Sequence, residues 1–216
     1  MNKKDLYKKV IEYFEKTMPV VETELHYENP FQLLVAVVLS AQCTDKRVNM
    51  VTPALFLAYP TSEMMSKASE SDIFTYIKSV SYPNSKAKHL SMLSKMLVSD
   101  YGGEVPESMD DLIRLPGVGR KTANVVQSVI WNKAAFAVDT HIFRVSHRLG
   151  LVNSNATTPL AVEKELTKNF PDELIPKAHH WLLLHGRYIC QSRKAKCDVC
   201  GLNNICKNKS ATKNKK

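Results

Sequence analysis

Residues 115–126 read LPGVGRKTANVV, and the architecture follows from them. Leu115, Pro116 and Gly117 close a short helix that opens at Ser108, with Asp111 three residues on in capping-box spacing. After Gly119 a second helix starts, carrying Ala123, Val126, Val129 and Ile130 toward a core. The unit is helix, tight glycine hairpin, helix. Its second helix begins with Arg120 and Lys121. Free N–H groups and the macrodipole favour anions there, so each cation costs a few tenths to about 1 kcal/mol. Gly117 and Gly119 compensate for this arrangement. Without a Cβ, their backbone N–H groups can approach an anion closely, and phosphate is the natural guest.

Outward from the hairpin, helical spacing recurs and strand alternation is scarce, so the chain reads as all-α. Leu6, Val10, Ile11 and Phe14 share one face, with Lys3, Lys4, Lys8 and Lys9 largely elsewhere, which predicts an amphipathic surface helix. Asn29-Pro30 is an N-cap followed by N1. The apolar run LLVAVVLSA at 33–41 after it predicts a central buried helix, although its β-branched content also fits a buried strand. Leu90, Leu93, Leu97 and Tyr101 predict a helix over 86–101, stopped by Gly102-Gly103. The tail KNKSATKNKK, 207–216, is basic and apolar-poor, and reads as a disordered end.

Thirty Lys and Arg against 21 Asp and Glu leave a formal charge of +9, which favours polyanionic partners such as nucleic acid or an anionic membrane surface. The run at 33–41 is too short to span a bilayer and MNKKDLYKKV lacks a signal-peptide hydrophobic region, so a soluble cytoplasmic chain is expected. Four of five cysteines fall between 190 and 206. That crowding predicts a metal or cluster site in a reducing compartment, because a disulfide framework would spread them. Cys43 stands apart and reads as a small packed side chain. The spacing of Cys190, Cys197, Cys200 and Cys206 is C-x6-C-x2-C-x5-C. Four thiolates suit either zinc or a [4Fe-4S] cluster, and this spacing fits neither a zinc ribbon nor a two-cluster ferredoxin.

LPGVGRKTANVV resembles the helix-hairpin-helix of the DNA glycosylase superfamily, and AVDTHIFRV at 137–145 resembles the segment carrying its essential aspartate. With SAQCTD at 40–45, HHWLLLHGRYIC at 179–190 and the terminal cysteines, the chain resembles the endonuclease III family over nearly its whole length. The resemblance implies a bifunctional enzyme of base excision repair, acting on duplex DNA that contains oxidised pyrimidines or abasic sites. Lys121 would attack C1′ and expel the base, and the resulting Schiff base would permit β-elimination of the 3′ phosphate. An amine attacks only when neutral. A helix N-terminus and the neighbouring Arg120 both work against its charge. Asp139 would deprotonate the nucleophile or stabilise the cationic sugar, and VDTHIF also reads as an N-cap, so one carboxylate can serve both ends. Thr140 and His141 are expected to be structural or peripheral. The resemblance also selects the [4Fe-4S] cluster, with Arg193, Lys194 and Lys196 of the loop between its first ligands turned to phosphates.

Excision from a duplex requires flipping the nucleotide and filling the gap it leaves. By resemblance Gln42 is one plug, facing the orphaned base. Here the chain departs from the family, which has a leucine before YNSKA. This sequence reads SVSYPNSKAKHL, with Tyr82 at the leucine position and Pro83 after it, and either can act as a wedge. Asn84 and Lys86 are expected on the nearby backbone. The domain expectation is a helical barrel over 23–133, with its hairpin motif at about 108–131. A discontinuous helical domain of 1–22 plus 134–216, with the cluster loop at 190–206, would complete a monomer. The two domains would flank a DNA-binding cleft. Three rivals remain: a mismatch adenine glycosylase, which usually lacks Lys121 and carries a further domain, a non-catalytic helix-hairpin-helix DNA-binding module, and a redox protein.

Overall fold

The computed structural model describes residues 1–208. Eleven α-helices lie among them: α1 (Lys3–Thr17), α2 (Pro30–Ser40), α3 (Asp45–Ala58), α4 (Ser62–Ser66), α5 (Glu70–Ile77), α6 (Pro83–Tyr101), α7 (Met109–Arg114), α8 (Arg120–Trp131), α9 (Thr140–Leu149), α10 (Pro159–Asn169) and α11 (Ile175–Tyr188). No strand occurs among the described residues, so the all-α reading holds. No described helix is long and apolar enough to cross a membrane. Short polar side chains open most helices. Asn29, Thr44, Ser69, Ser108, Asp139 and Thr158 each accept a backbone amide of the first turn. Each such cap is worth about 1 kcal/mol.

The chain divides into two compact units, residues 23–131 and residues 1–22 with those from 132 on. In the first, α2 is buried from Phe31 through Leu39, which settles the strand alternative in favour of a helix enclosed on all sides. It packs against α3, α6 and α8, while α4 and α5 cover α6 and α7 lies on α8. Leu34, Leu90, Leu93, Ala123 and Val126 are among the side chains that meet in this core. The helix predicted over 86–101 starts earlier, at Pro83, because a proline at N1 gives up no intrahelical bond. It ends at Gly102, whose φ of 60° is left-handed and suits glycine.

In the second unit α1 shares a core with α9, α10 and α11. Phe14 stacks on Trp181 at 5.6 Å between ring centroids, and the indole N–H donates to the Met18 carbonyl at 2.8 Å across 163 residues of sequence. Tyr7 donates to the Leu151 carbonyl at 3.0 Å, and Lys3 pairs with Glu165 at 2.8 Å. The stretch expected to be disordered from 207 starts differently. Lys207 packs over Gly150, and the Asn208 amide donates to the Arg148 carbonyl at 3.0 Å, so orphan carbonyls at the end of α9 hold it. Residues 209–216 of that stretch lie outside the described residues.

Candidate active site

The hairpin between α7 and α8 is closed by the Val118 amide on the Leu115 carbonyl at 3.0 Å, and the buried Val118 side chain anchors it. The two glycines meet different demands. Gly117 has φ of 80°, and a Cβ there would approach His89 Cβ to 3.0 Å, so backbone shape and close packing both require it. Gly119 has no such φ, and a Cβ there would meet nothing within 4 Å. Gly117 therefore shapes the turn, while Gly119 leaves open space in front of the first amides of α8. Arg120 and Lys121 are both exposed on that first turn, which contains no acidic residue. Gln127 fastens α8 to the segment before α7, its Nε2 donating to the Glu107 carbonyl at 2.7 Å.

Asp139 is the N-cap of α9. Its Oδ1 accepts the amides of His141 and Ile142, each at 2.8 Å, so the carboxylate is half-buried and fixed by backbone. Arg144, one turn further on, holds the same turn from below. Its guanidinium donates to the carbonyls of Thr140, Gly186 and Cys190 at 3.2, 2.9 and 3.1 Å and lies 3.2 Å from His141 Nδ1. His141 and Thr140 thus belong to the turn that Arg144 holds.

Gln42 and Tyr82 lie on adjacent turns of the 23–131 unit, where Ser81 Oγ donates to the Gln42 carbonyl at 2.7 Å. Both side chains are exposed, Tyr82 at 65%, and both backbones are left-handed, with φ of 54° and 56°. Without glycine such backbone costs roughly 1 kcal/mol or more at each position. Pro83 is half-buried at the start of α6, and Asn84 is exposed beside it. Lys86 departs from its expected place on the DNA backbone. Only 6% exposed, it turns inward and donates to the carbonyls of Leu39 and Ala41, both at 2.7 Å. The physical reason is the C-terminus of α2, whose last carbonyls lack intrahelical partners and attract a cation. Burial lowers the ammonium pKa from its ordinary value, partly opposed by Cys43, a half-buried thiol packed against the core as expected.

Cys190, Cys197, Cys200 and Cys206 are all half-buried and line one cavity of about 260 Å³. Arg148 frames it. Its Nη1 lies 3.5 Å from Cys190 Sγ and donates to the Gln191 carbonyl at 2.7 Å, its Nη2 donates to the Ser192 carbonyl at 3.0 Å, and its own carbonyl lies 3.1 Å from Cys206 Sγ. Buried His185 sits 3.6 Å from Cys200 Sγ, with its pKa pushed down to about 4 by burial, so it is uncharged at neutral pH. Burial, then the neighbouring thiols, raise the pKa values of Cys200 and Cys206. A cationic group bound among the sulfurs would favour the thiolates of Cys200 and Cys206 against that burial. Arg193, Lys194 and Lys196 are exposed on the loop, which the Lys196 amide ties to the Ile189 carbonyl at 2.9 Å.

Arg144, Arg148 and His185 escaped the sequence reading. A signal existed: two arginines four residues apart on the helix that Asp139 opens, with no acidic residue on that helix to pair with them.

Two all-helical units, one with a glycine hairpin and the other with a helix-capping aspartate and a basic four-cysteine loop, define a class, and the comparisons agree with it. Residues 35–172 match the family model described as HhH-GPD superfamily base excision DNA repair protein. The chain is 49% identical over 198 residues to endonuclease III of Rickettsia felis (strain ATCC VR-1525 / URRWXCal2), covering 92% of each. It is 47% identical over 189 residues to endonuclease III of Bacillus subtilis (strain 168), covering 88% of this chain and 86% of that one. The solved structure of a trapped endonuclease III-DNA covalent intermediate superposes with a TM-score of 0.90 at 41% identity, over 97% of this chain and 98% of that one. The chain belongs to the endonuclease III family of this superfamily.

Proposed function

We propose that this chain is a base-excision DNA glycosylase and abasic-site lyase that removes oxidised pyrimidines from duplex DNA and cleaves the strand at the abasic site that remains. The observation that carries the reading is the exposed Lys121 amine on the first turn of α8, beside a glycine hairpin open at Gly119. The hairpin amides and Arg120 receive a backbone phosphate. The neutral Lys121 Nζ forms a bond to C1′ as the glycosidic bond breaks and the base leaves with its electron pair. Loss of the amine proton and opening of the sugar ring give a Schiff base. Removal of a C2′ proton then expels the 3′ phosphate. Asp139 takes the proton from the amine or balances the positive charge that grows on the sugar, and its cap geometry keeps that carboxylate from wandering.

Gln42 and Tyr82 fill the gap left by the flipped nucleotide. Exposure favours Tyr82 over half-buried Pro83 as the wedge, since an exposed ring can stack between bases at little cost. Asn84 stands beside them to meet the backbone. Cys190, Cys197, Cys200 and Cys206 suit a [4Fe-4S] cluster, as an all-sulfur donor set around a cavity with room for several atoms. When bound it supplies a rigid centre for the loop that turns Arg193, Lys194 and Lys196 toward phosphates. Double-stranded DNA in the cytoplasm is the partner, and the chain acts as a monomer.

The test is borohydride trapping on duplex DNA containing thymine glycol or an abasic site. Wild type forms a covalent complex that Lys121→Gln cannot form. A wild-type protein that neither traps nor cuts the strand would falsify the lyase reading and leave a DNA-binding module in its place. Iron and zinc analysis, with absorption spectra of anaerobically purified protein, checks the cluster.

A further inference from the structure

Lys86 is a buried lysine whose ammonium donates to two main-chain carbonyls at the end of another helix, with the Cys43 thiol nearby. Those carbonyls, of Leu39 and Ala41, lie three and one residues before Gln42. Lys86 itself stands in the first turn of α6, and its amide closes on the Tyr82 carbonyl at 3.1 Å. One side chain therefore joins the turn before α3 to the turn before α6, and Ser81 repeats the link from outside by donating to the Gln42 carbonyl. Both turns hold a non-glycine residue in the left-handed region, a conformation that persists only where its surroundings enforce it. The alternative for a helix C-terminus, a glycine at the left-handed position, would hold the backbone with no side chain to present.

We propose that Lys86 is a positioning residue: its buried ammonium fastens the turn carrying Gln42 to the turn carrying Tyr82, so both exposed side chains stand preset for entry into a duplex. This rests on the reading that Gln42 and Tyr82 fill the gap left by a flipped nucleotide. A preset pair loses less conformational freedom on insertion than two mobile loops, so the ammonium acts on extrusion of the nucleotide and not on the chemistry at Lys121. Burial of the ammonium also strengthens its bonds to the two carbonyls, because little water competes for them.

The experiment compares two substrates. Thymine glycol in a duplex needs extrusion and gap filling, whereas a single-stranded oligonucleotide with one abasic site needs neither. Lys86→Met keeps the stem and removes the charge. Its single-turnover excision from the duplex is expected to fall about tenfold or more, from the loss of two charge-assisted hydrogen bonds. Cleavage of the single strand should stay within about twofold of wild type. Amide exchange at 40–43 and 81–82 should accelerate. Ser81→Ala, at the outer link, gives the same split at about threefold. Equal losses on both substrates, or full duplex activity in a folded Lys86→Met protein, overturn the proposal. Should Lys86→Met not fold, Ser81→Ala decides, and full duplex activity there overturns it. If wild type cleaves neither substrate, the functional reading fails separately, and unchanged exchange at 40–43 in Lys86→Met still refutes the clamp.

Discussion

The first turns of α8 and α9 differ in what meets their free amides. At α9 the protein satisfies itself: Asp139 Oδ1 takes two amides at 2.8 Å, and the negative charge lies where the helix dipole favours it. At α8 the first turn holds Arg120 and Lys121 and no acid, behind a glycine with open space before it. Self-satisfaction makes Asp139 a rigid carboxylate. The first turn of α8 has no acid of its own, which leaves its amides suited to the phosphate of the proposed function.

Six substitutions test that contrast. Lys121→Gln removes the amine and leaves the hairpin, so trapping should disappear while binding to an abasic duplex, measured by fluorescence anisotropy, persists. Asp139→Asn keeps a competent cap, so thermal stability should change little while excision falls about 100-fold or more. Asp139→Ala should add a stability loss of about 1 kcal/mol, which urea unfolding reads. If Asn and Ala variants lose equal activity and equal stability, the cap alone was at work. Gly117→Ala should destabilise by more than about 1 kcal/mol, because φ of 80° and His89 both oppose a Cβ. Gly119→Ala should leave stability nearly unchanged and weaken DNA binding instead. The smallest effect is expected for Arg120→Gln, which removes one phosphate contact and lowers the slope of log K against log salt by about one.

Legibility followed the range of the interactions. The glycine hairpin, the Asn29-Pro30 opening and the Asp139 cap were readable because cap and amide lie within a few residues of one another. The strand alternative for 33–41 stayed open in sequence because a segment buried on every side has no periodicity to display. The inward turn of Lys86 is hidden in the sequence for the opposite reason. Its acceptors lie 45 and 47 residues away, and nothing local distinguishes a lysine that turns inward from one that reaches a phosphate. Arg148 reaches 43 residues to the Gln191 carbonyl, equally invisible from its neighbours. The tail failed at its first two residues because composition does not register that carbonyls at the end of α9 need donors.

The sharing of one core between α1 and the far end of the chain has a consequence for biosynthesis. A ribosome delivers α1 before the 23–131 unit, yet Trp181 and Ile175, against which its apolar face closes, emerge after that whole unit. That middle unit carries its own core and can collapse while translation continues, with α1 tethered at its entry and unable to bury Phe14. Contacts of this long sequence separation form slowly. Helix α1 therefore waits for α9, α10 and α11 before its apolar face can close.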